Sequence, residues 1–310
     1  MYKRQVKDHK SPESWDKELG IPPLREVVSG CGSNTEYISS FVDHHSKEEM
    51  KKIPSFIEDT PHLLREIVKE NEKGPQPVGA TLVTMDVTAL YPSIPWKEGL
   101  FALKEALNRR KDQDVPTSFL LRLMLLVLVA NIFTWNNKLF IQKTGTAIGT
   151  KAAVVYACLF MAWLENCILS SWTGTQPSFF KRFIDDIFFI WRGSKEELEN
   201  FILVANSFHP NIKFTAEYNF ETRAVNFLNT RLWIDEQGLI RSDLYVKENK
   251  KIQYLLPSSC HPAFQTNNIP FSLFYTIRRI CWNEDLFLER CKDLKRDLLS
   301  REYRPTWPGL

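Results

Sequence analysis

The spacing of apolar positions changes several times along this chain, and the changes divide it into elements. Residues 1–79 are polar, interrupted by prolines and weakly periodic, with helical spacing over 35–50 and 58–70 and a linker at Gly74-Pro75-Gln76-Pro77. From Ala80 to Met85 the chain reads as a buried strand ending on Asp86. Helical spacing returns over 97–109, and a mostly apolar helix follows over 117–130. Phe133-Thr134-Trp135 and Lys138–Gln142 flank Asn136-Asn137, which predicts a hairpin. A Thr/Gly-rich loop over 144–150 opens a helix to about Ser170, apolar around much of its girth and so expected to be buried. A second hairpin is expected over 180–191, then a helix to about Ser207 with Ser194 and Glu197 at capping-box spacing. Strands at 212–216, 224–234 and 239–246 follow, and from 270 onward the pattern is helical and charged. This order predicts an α+β fold, an antiparallel sheet backed by helices on one face.

With 310 residues, 44% of them hydrophobic, the chain can bury a core as one large unit or two to three lobes. A net charge of +3 tolerates a polyanionic partner without demanding one. Six cysteines stand singly at 31, 158, 167, 260, 281 and 291, which argues for reduced, intracellular thiols and against a disulfide framework or a zinc knuckle. The most apolar stretch, Phe119–Ala130, is too short to span a bilayer and contains Arg122, and the polar start is not a secretory leader, so no membrane partner is expected. Met1–Gln5 is similar to the translation of a common sequencing-adapter end, so an assembly boundary and a shortened first lobe are expected.

Candidate chemistry concentrates where acid meets apolar strand. Seven of the nine residues from Phe183 to Trp191 are hydrophobic, and the other two are Asp185 and Asp186. Adjacent carboxylates near a sheet core are costly unless cations neutralise them; a surface hairpin with an acidic turn is the plainer alternative. Asp86 closes another apolar strand 99 residues earlier. If the two strands are neighbours, three carboxylates converge in a cluster suited to two Mg²⁺ ions about 3.5–4 Å apart. Phosphoryl transfer needs mainly positioning and charge neutralisation, and no Ser/His/Asp triad is evident. Read alone, Asp86 could instead cap a turn. The Thr/Gly loop could bring backbone amides close to a phosphate or a base, although a simple helix start is the plainer reading and the spacing is not that of a Walker loop.

The strings MDVTALYPSIP, QKTGTAIGTKAAVVYACLFM and RFIDDIFFIW, in this order, resemble motifs A, B and C of a reverse transcriptase palm, in detail those of the Penelope-like retroelements, kin to telomerase reverse transcriptases. Val6–Lys10 and Pro23–Ser33 are similar to that family's fingers, Val225–Asn229 to its primer grip, and Ser259–Pro262 with Ile269–Ser272 and Arg278–Cys281 to its thumb. The resemblance implies a right-hand polymerase: partial fingers over 1–79, palm over 80–220, primer-grip strands over 221–257 and a thumb-like helical segment over 258–310. It implies catalytic Asp86, Asp185 and Asp186 holding two Mg²⁺, or Mn²⁺ in their place, helped by the Val87 carbonyl. Tyr91 would block a ribose 2′-hydroxyl, Gln142 and Gly145 would line the nucleotide pocket, and Arg25 and Lys7 would contact the triphosphate. Lys213 would be the general acid for pyrophosphate, and Phe227 and Leu228 would hold the primer. The implied partners are an RNA template, a DNA primer and dNTPs, with action in the nucleus.

Three positions depart from the family pattern: Glu26 replaces a proline, Val154-Val155 replace a Pro-Pro pair, and Asn229 replaces an aspartate. No GIY-YIG endonuclease is expected within these residues. The departures keep open a catalytically silent nucleic-acid-binding remnant, and a related palm could also serve an RNA-templated RNA polymerase. The tail aromatics Phe271, Phe274, Tyr275 and Trp282 could meet a template–primer duplex beside Arg278 and Arg279; their helical spacing reads more simply as thumb core.

Overall fold

The structure, a computed structural model, describes residues 2–6, 15, 20, 24–247 and 252–304, for 2–6 and 24–27 in backbone alone. In chain order the elements are β1 (Tyr2–Val6), β2 (Leu24–Val28), α1 (Glu36–Lys51), α2 (Thr60–Glu72), β3 (Thr81–Val87), α3 (Leu90–Ser93), α4 (Trp96–Leu107) and α5 (Thr117–Val129). Then come β4 (Ile132–Trp135), β5 (Lys138–Ile141), α6 (Ala153–Ser171), β6 (Ser178–Phe183), β7 (Asp186–Trp191), α7 (Lys195–Phe208) and β8 (Phe214–Tyr218). The chain ends with β9 (Ala224–Phe227), β10 (Thr230–Ile234), β11 (Ile240–Leu244), α8 (Ala263–Ile280) and α9 (Glu284–Ser300). It packs into two compact units, one built from 1–58 and 85–217, the other from 59–84 and 218–310.

A four-stranded sheet runs in the order β6-β7-β3-β8, with β6, β7 and the end of β3 from Met85 onward in the first unit. Ile187 to Trp191 are all buried, so β7 is apolar on both faces, as a central strand covered on both sides must be. Helix α6 packs against α1, α3, α4 and α7, which explains its apolar girth. By length and composition α6 could cross a membrane, but most of its apolar stretch is buried inside the protein, as in a core helix. Ser194 caps α7 by accepting from the Glu197 amide at 3.2 Å. The Glu197 carboxylate does not complete the capping box; it accepts from the Thr175 amide (2.7 Å) and hydroxyl (2.8 Å) and so ties the α6–β6 connection to the start of α7.

The hairpin β4–β5 turns on Asn136 and Asn137, both left-handed (φ 48° and 59°), the backbone a two-residue turn requires and asparagine tolerates. The Thr/Gly loop is pinned on two sides. The Thr146 amide donates to the Tyr91 carbonyl (2.8 Å) and the Gly149 amide to the Val28 carbonyl (3.0 Å), while Gly30 donates back to Gly149 (3.2 Å). A Cβ on Gly149 would overlap the Val28 carbonyl oxygen and come within 2.8 Å of Ser29 Cα, so this backbone-to-backbone contact requires glycine.

In the second unit β11-β10-β9 form a three-stranded sheet. The expected strand over 224–234 is two strands, because Leu228 takes a left-handed backbone (φ 55°) and reverses the chain, pairing Phe227 with Thr230. The Gly74–Pro77 linker is docked: Gln76 is buried and its amide donates to the Gly238 carbonyl at 2.8 Å. The terminal helices begin earlier than expected, at Ala263, and α8 and α9 join through Ile277, Cys281, Cys291, Leu294 and Leu298. Phe274 packs against that cluster, but Phe271 and Tyr275 are 71% and 53% exposed and Trp282 is also exposed, so these three aromatics are not thumb core. Phe271 and Tyr275 lie on the face of α8 that the apolar seam leaves outward, whereas Trp282 follows the helix and meets the Arg241 guanidinium at 4.1 Å.

Replacing Gly149 with alanine is expected to cost about 2–3 kcal/mol, because the added methyl must displace main chain and not a flexible side chain. The denaturant midpoint checks this; an unchanged midpoint would show that the Val28–Gly30 segment is not held on the loop.

Candidate active site

The acidic turn is built by local pairing. Phe183 faces Asp186 across β6–β7, leaving Ile184 and Asp185 as the two-residue turn. Strand β7 lies beside β3 in the sheet. The Val87 amide donates to the Asp185 carbonyl at 3.3 Å, which brings the end of β3 to the turn. On the other side of β3, the Thr88 amide donates to the Lys213 carbonyl at 2.8 Å, just before β8. Asp86, exposed within an otherwise buried strand, thus stands beside half-buried Asp185 and Asp186. The strand runs one residue further than the sequence pattern implies, through Asp86 to Val87.

The three carboxylates feel one another. The Asp186 carboxyl is pushed up to about 7, first by burial, then by the charges of Asp185 and Asp86 and by a hydrogen bond shared with Asp86. Among the described residues no three His, Cys, Asp or Glu side chains form a ready-made metal cage. The donor chemistry nevertheless fits a hard divalent cation: carboxylate oxygens at the end of a sheet, held close enough to repel and lacking a lysine or arginine among the causes of the Asp186 shift.

The remaining predicted residues take varied positions. Tyr91 is half-buried in α3, and its carbonyl receives the Thr146 amide. Gly145 packs on the same segment: its φ is +64°, a Cβ there would overlap Pro92 Cα and the Tyr91 carbonyl oxygen, and its own carbonyl accepts from the Trp96 indole at 2.7 Å. Gln142 braces its loop, its amide oxygen accepting from Asn131 (2.7 Å) and its amide nitrogen donating to the Thr144 carbonyl (2.8 Å). The amides of Thr146, Gly149 and Thr150 all donate to protein carbonyls, so they do not form an open phosphate cradle. Helix α6 starts at Ala153, with Val154 and Val155 in its first turn.

Lys213 caps the end of α7, its ammonium donating to the Asn206 (2.7 Å) and His209 (3.2 Å) carbonyls, a role the helix dipole favours. Phe227 and Leu228 belong to the second unit, where Phe227 is buried and Leu228 forms the turn; Asn229 accepts from the Thr60 hydroxyl at 2.5 Å. Arg25 and Glu26 lie in β2 opposite Gln5 and Arg4, their side chains outside the described residues, and Lys7 lies outside them altogether.

Sequence reasoning passed over Arg182, which is fully buried one residue into the chain from Lys181 and ion-paired to buried Glu165. A signal existed. Glu165 is the only charged residue in α6, and Arg182 lies in a strand rich in phenylalanine, on the opposite face from Lys181. A lone carboxylate on a buried helix needs a buried cation, and Arg182 lies on the strand that follows.

Three solved structures similar to this chain in fold show the range of the likeness. The RNA-dependent RNA polymerase of a human picorbirnavirus, as an insertion-loop deletion mutant, is 12% identical with a TM-score of 0.59 over 89% of this chain and 55% of that one. The telomerase of Candida albicans, in complex with a fragment of telomeric RNA, is 11% identical with a TM-score of 0.57 over 89% of this chain and 48% of that one. Apo telomerase from Candida tropicalis is 11% identical with a TM-score of 0.55 over 79% and 44%. The chain therefore spans about half the length of the structures it matches. The animal helix-turn-helix domain family matches residues 253–307, the stretch that holds α8 and α9. No curated protein matches the chain.

Because folding raises the Asp186 pKa from 3.8 to about 7, the folded chain holds that proton more tightly than the unfolded one. Without divalent cations, the stability this proton brings is complete below pH 4 and is lost as pH rises to about 7. Asp186→Asn, which carries no charge, is expected to melt a few degrees above the parent at pH 8 in EDTA and to lose that advantage near pH 4. Thermal melts at the two pH values check it; no pH-dependent difference would mean that the carboxylates are not coupled.

Proposed function

We propose that this chain is an RNA-directed DNA polymerase that adds dNTPs to a primer 3′-hydroxyl on an RNA template, within a Penelope-like architecture of fingers, palm and thumb. The observation that carries this reading is the meeting of Asp86, Asp185 and Asp186 where the neighbouring strands β3 and β7 are tied by the Val87–Asp185 hydrogen bond, in a fold shared with telomerases and viral RNA polymerases. Asp86, Asp185 and Asp186, with the Val87 carbonyl, would hold two Mg²⁺ ions. Bound there, the metal pair would supply Lewis-acid activation of the primer hydroxyl and charge neutralisation at the leaving pyrophosphate.

The chain's own residues do the rest. Burial of Asp186 and the charges of Asp185 and Asp86 keep the cluster poised for cations, since each lost proton adds a charge that a positive partner offsets. The Gly145–Tyr91 contact fixes the Thr/Gly loop against the segment just after Asp86, so Tyr91 is positioned by backbone and its ring can act as a wall against a 2′-hydroxyl. Gln142 and Gly145 would frame the nucleotide and template base. Arg25 and Lys7 would bind triphosphate oxygens, a planar guanidinium suiting bidentate contact. Lys213 would serve as general acid only after leaving the α7 carbonyls. Phe227 and Leu228 would support the primer from their turn, and action on genomic DNA would place the protein in the nucleus.

The exposed face of α8 supports duplex binding. Phe271 and Tyr275 stack at 6.0 Å, and Arg279 lies 5.4 Å from the Tyr275 ring. A catalytically silent nucleic-acid-binding remnant is the second reading, favoured by Glu26 beside Arg25 in β2. It predicts salt-dependent duplex binding with no extension.

Primer extension on an RNA template with Mg²⁺ separates the two. Incorporation by the parent and its loss by at least about 1,000-fold in Asp185→Ala are expected, the scale of removing a principal electrostatic element; extension undiminished in that variant would refute the assignment. Tyr91→Ala is expected to admit ribonucleotides into the product, scored as alkali-labile linkages. If ribonucleotides enter equally well with and without the ring, the chain is closer to an RNA-templated RNA polymerase.

A further inference from the structure

The turn that carries the acidic pair is strained. Ile184, immediately before Asp185, has φ +56°, a region that β-branched residues rarely enter. Such a backbone persists only where its surroundings over-determine it. The Asn136-Asn137 turn uses residues suited to that region; the acidic turn does not.

What over-determines it is Arg182. Its guanidinium is wholly buried and every nitrogen is used. Nε donates to the Glu165 carboxylate, Nη2 donates to the Cys158 carbonyl at 3.1 Å, and Nη1 donates to the Ile184 carbonyl at 3.0 Å. That last bond holds the oxygen of the peptide joining Ile184 to Asp185. The base of the clamp is fixed in turn: the Arg182 amide donates to the Ser55 carbonyl at 2.6 Å, and its carbonyl accepts from the Ile57 amide at 2.9 Å. The Ser55 hydroxyl donates to the other Glu165 oxygen at 2.9 Å. Glu165 and Cys158 lie two turns apart on α6, so the guanidinium spans the core helix and the turn in one rigid plane.

We propose that Arg182 is the positioning residue of the acidic turn: with Glu165 and Ser55 it forms a buried clamp that locks the Ile184–Asp185 peptide and thereby aims Asp185 and Asp186. Its consequence for polymerisation rests on the function proposed above; its role in holding the turn does not. Stability alone is a poor reason for the pair. A buried ion pair returns little over well-packed apolar residues, because desolvation offsets the attraction. A planar, multiply bonded guanidinium beside a strained peptide is suited to fixing geometry.

The test compares the parent with Arg182→Lys, and with the double variant Arg182→Met/Glu165→Leu, which replaces the pair by apolar side chains and guards against misfolding from an orphaned charge. Hydrogen exchange over the 183–187 segment is expected to quicken about tenfold or more in both variants while α4 and α6 stay as protected as in the parent. Parent-like exchange in that segment of the folded double variant would overturn the proposal, and so would uniform loss of protection across α4, α6 and the turn. In primer extension, kcat should fall about 10–100-fold with the dNTP KM within about twofold, the pattern of displaced ligand-bearing groups. Full kcat with a loosened turn would overturn the link to catalysis. If the parent does not extend primers at all, the polymerase reading fails, and the exchange data still decide whether Arg182 holds the turn.

Discussion

The register between β7 and β3 is the constraint on which the rest of the site depends. One hydrogen bond, from the Val87 amide to the Asp185 carbonyl, ties two segments nearly a hundred residues apart and sets Asp86 beside Asp185 and Asp186. Because side chains alternate along a strand, a one-residue slip would turn Asp86 into the core and Met85 or Val87 outward. The apolar mass of β7 and α6 makes that slip expensive, since every buried side chain from Ile187 to Trp191 would lose its packing. The hydrophobic core and the acidic cluster are thus one device, with the core supplying the free energy that holds repelling groups together.

A buried polar network supports this arrangement through the Ile184 carbonyl. Glu165, Arg182 and Ser55 form a buried polar network in which each member has partners, the condition under which such networks rigidify a core. The loop between α1 and α2, the core helix and the acidic hairpin all meet at Arg182. Gly145 and Gly149 let the Thr/Gly loop contact the main chain of the Tyr91–Pro92 and Val28–Ser29 segments directly. Three segments distant in sequence are therefore joined by backbone, which leaves the loop little freedom.

Several groups with an expected ligand role serve the protein in this structure. Lys213 holds helix carbonyls, Gln142 holds its own loop, and the loop amides hold carbonyls of β2, α3 and the loop itself. A nucleotide would have to compete with these bonds, at roughly 1 kcal/mol for a neutral one and more for the lysine. Such competition is a physical route by which substrate binding could be coupled to rearrangement of the loop and of the α7 end.

Much of the architecture was legible in the chain itself, because it follows from short-range rules. The 3.6-residue and two-residue periods located α1, α2, α4 to α7 and both hairpins, and Ser194 and the Asn-Asn pair marked a helix start and a turn through their own side-chain chemistry. The acidic residues were conspicuous because charge in an apolar strand demands an explanation wherever the strand lies. What the sequence could not decide depends on contacts between distant segments. The reversal at Leu228 needs a left-handed leucine that no local rule favours, and the outward aromatics of α8 depend on which face α9 covers. The partner of Arg182 and the neighbour of Gly149 lie 17 and more than a hundred residues away, so only the folded chain brings them together. Local periodicity reports how a segment can fold; pairing energy between remote segments selects which groups meet, and that selection exists only in three dimensions.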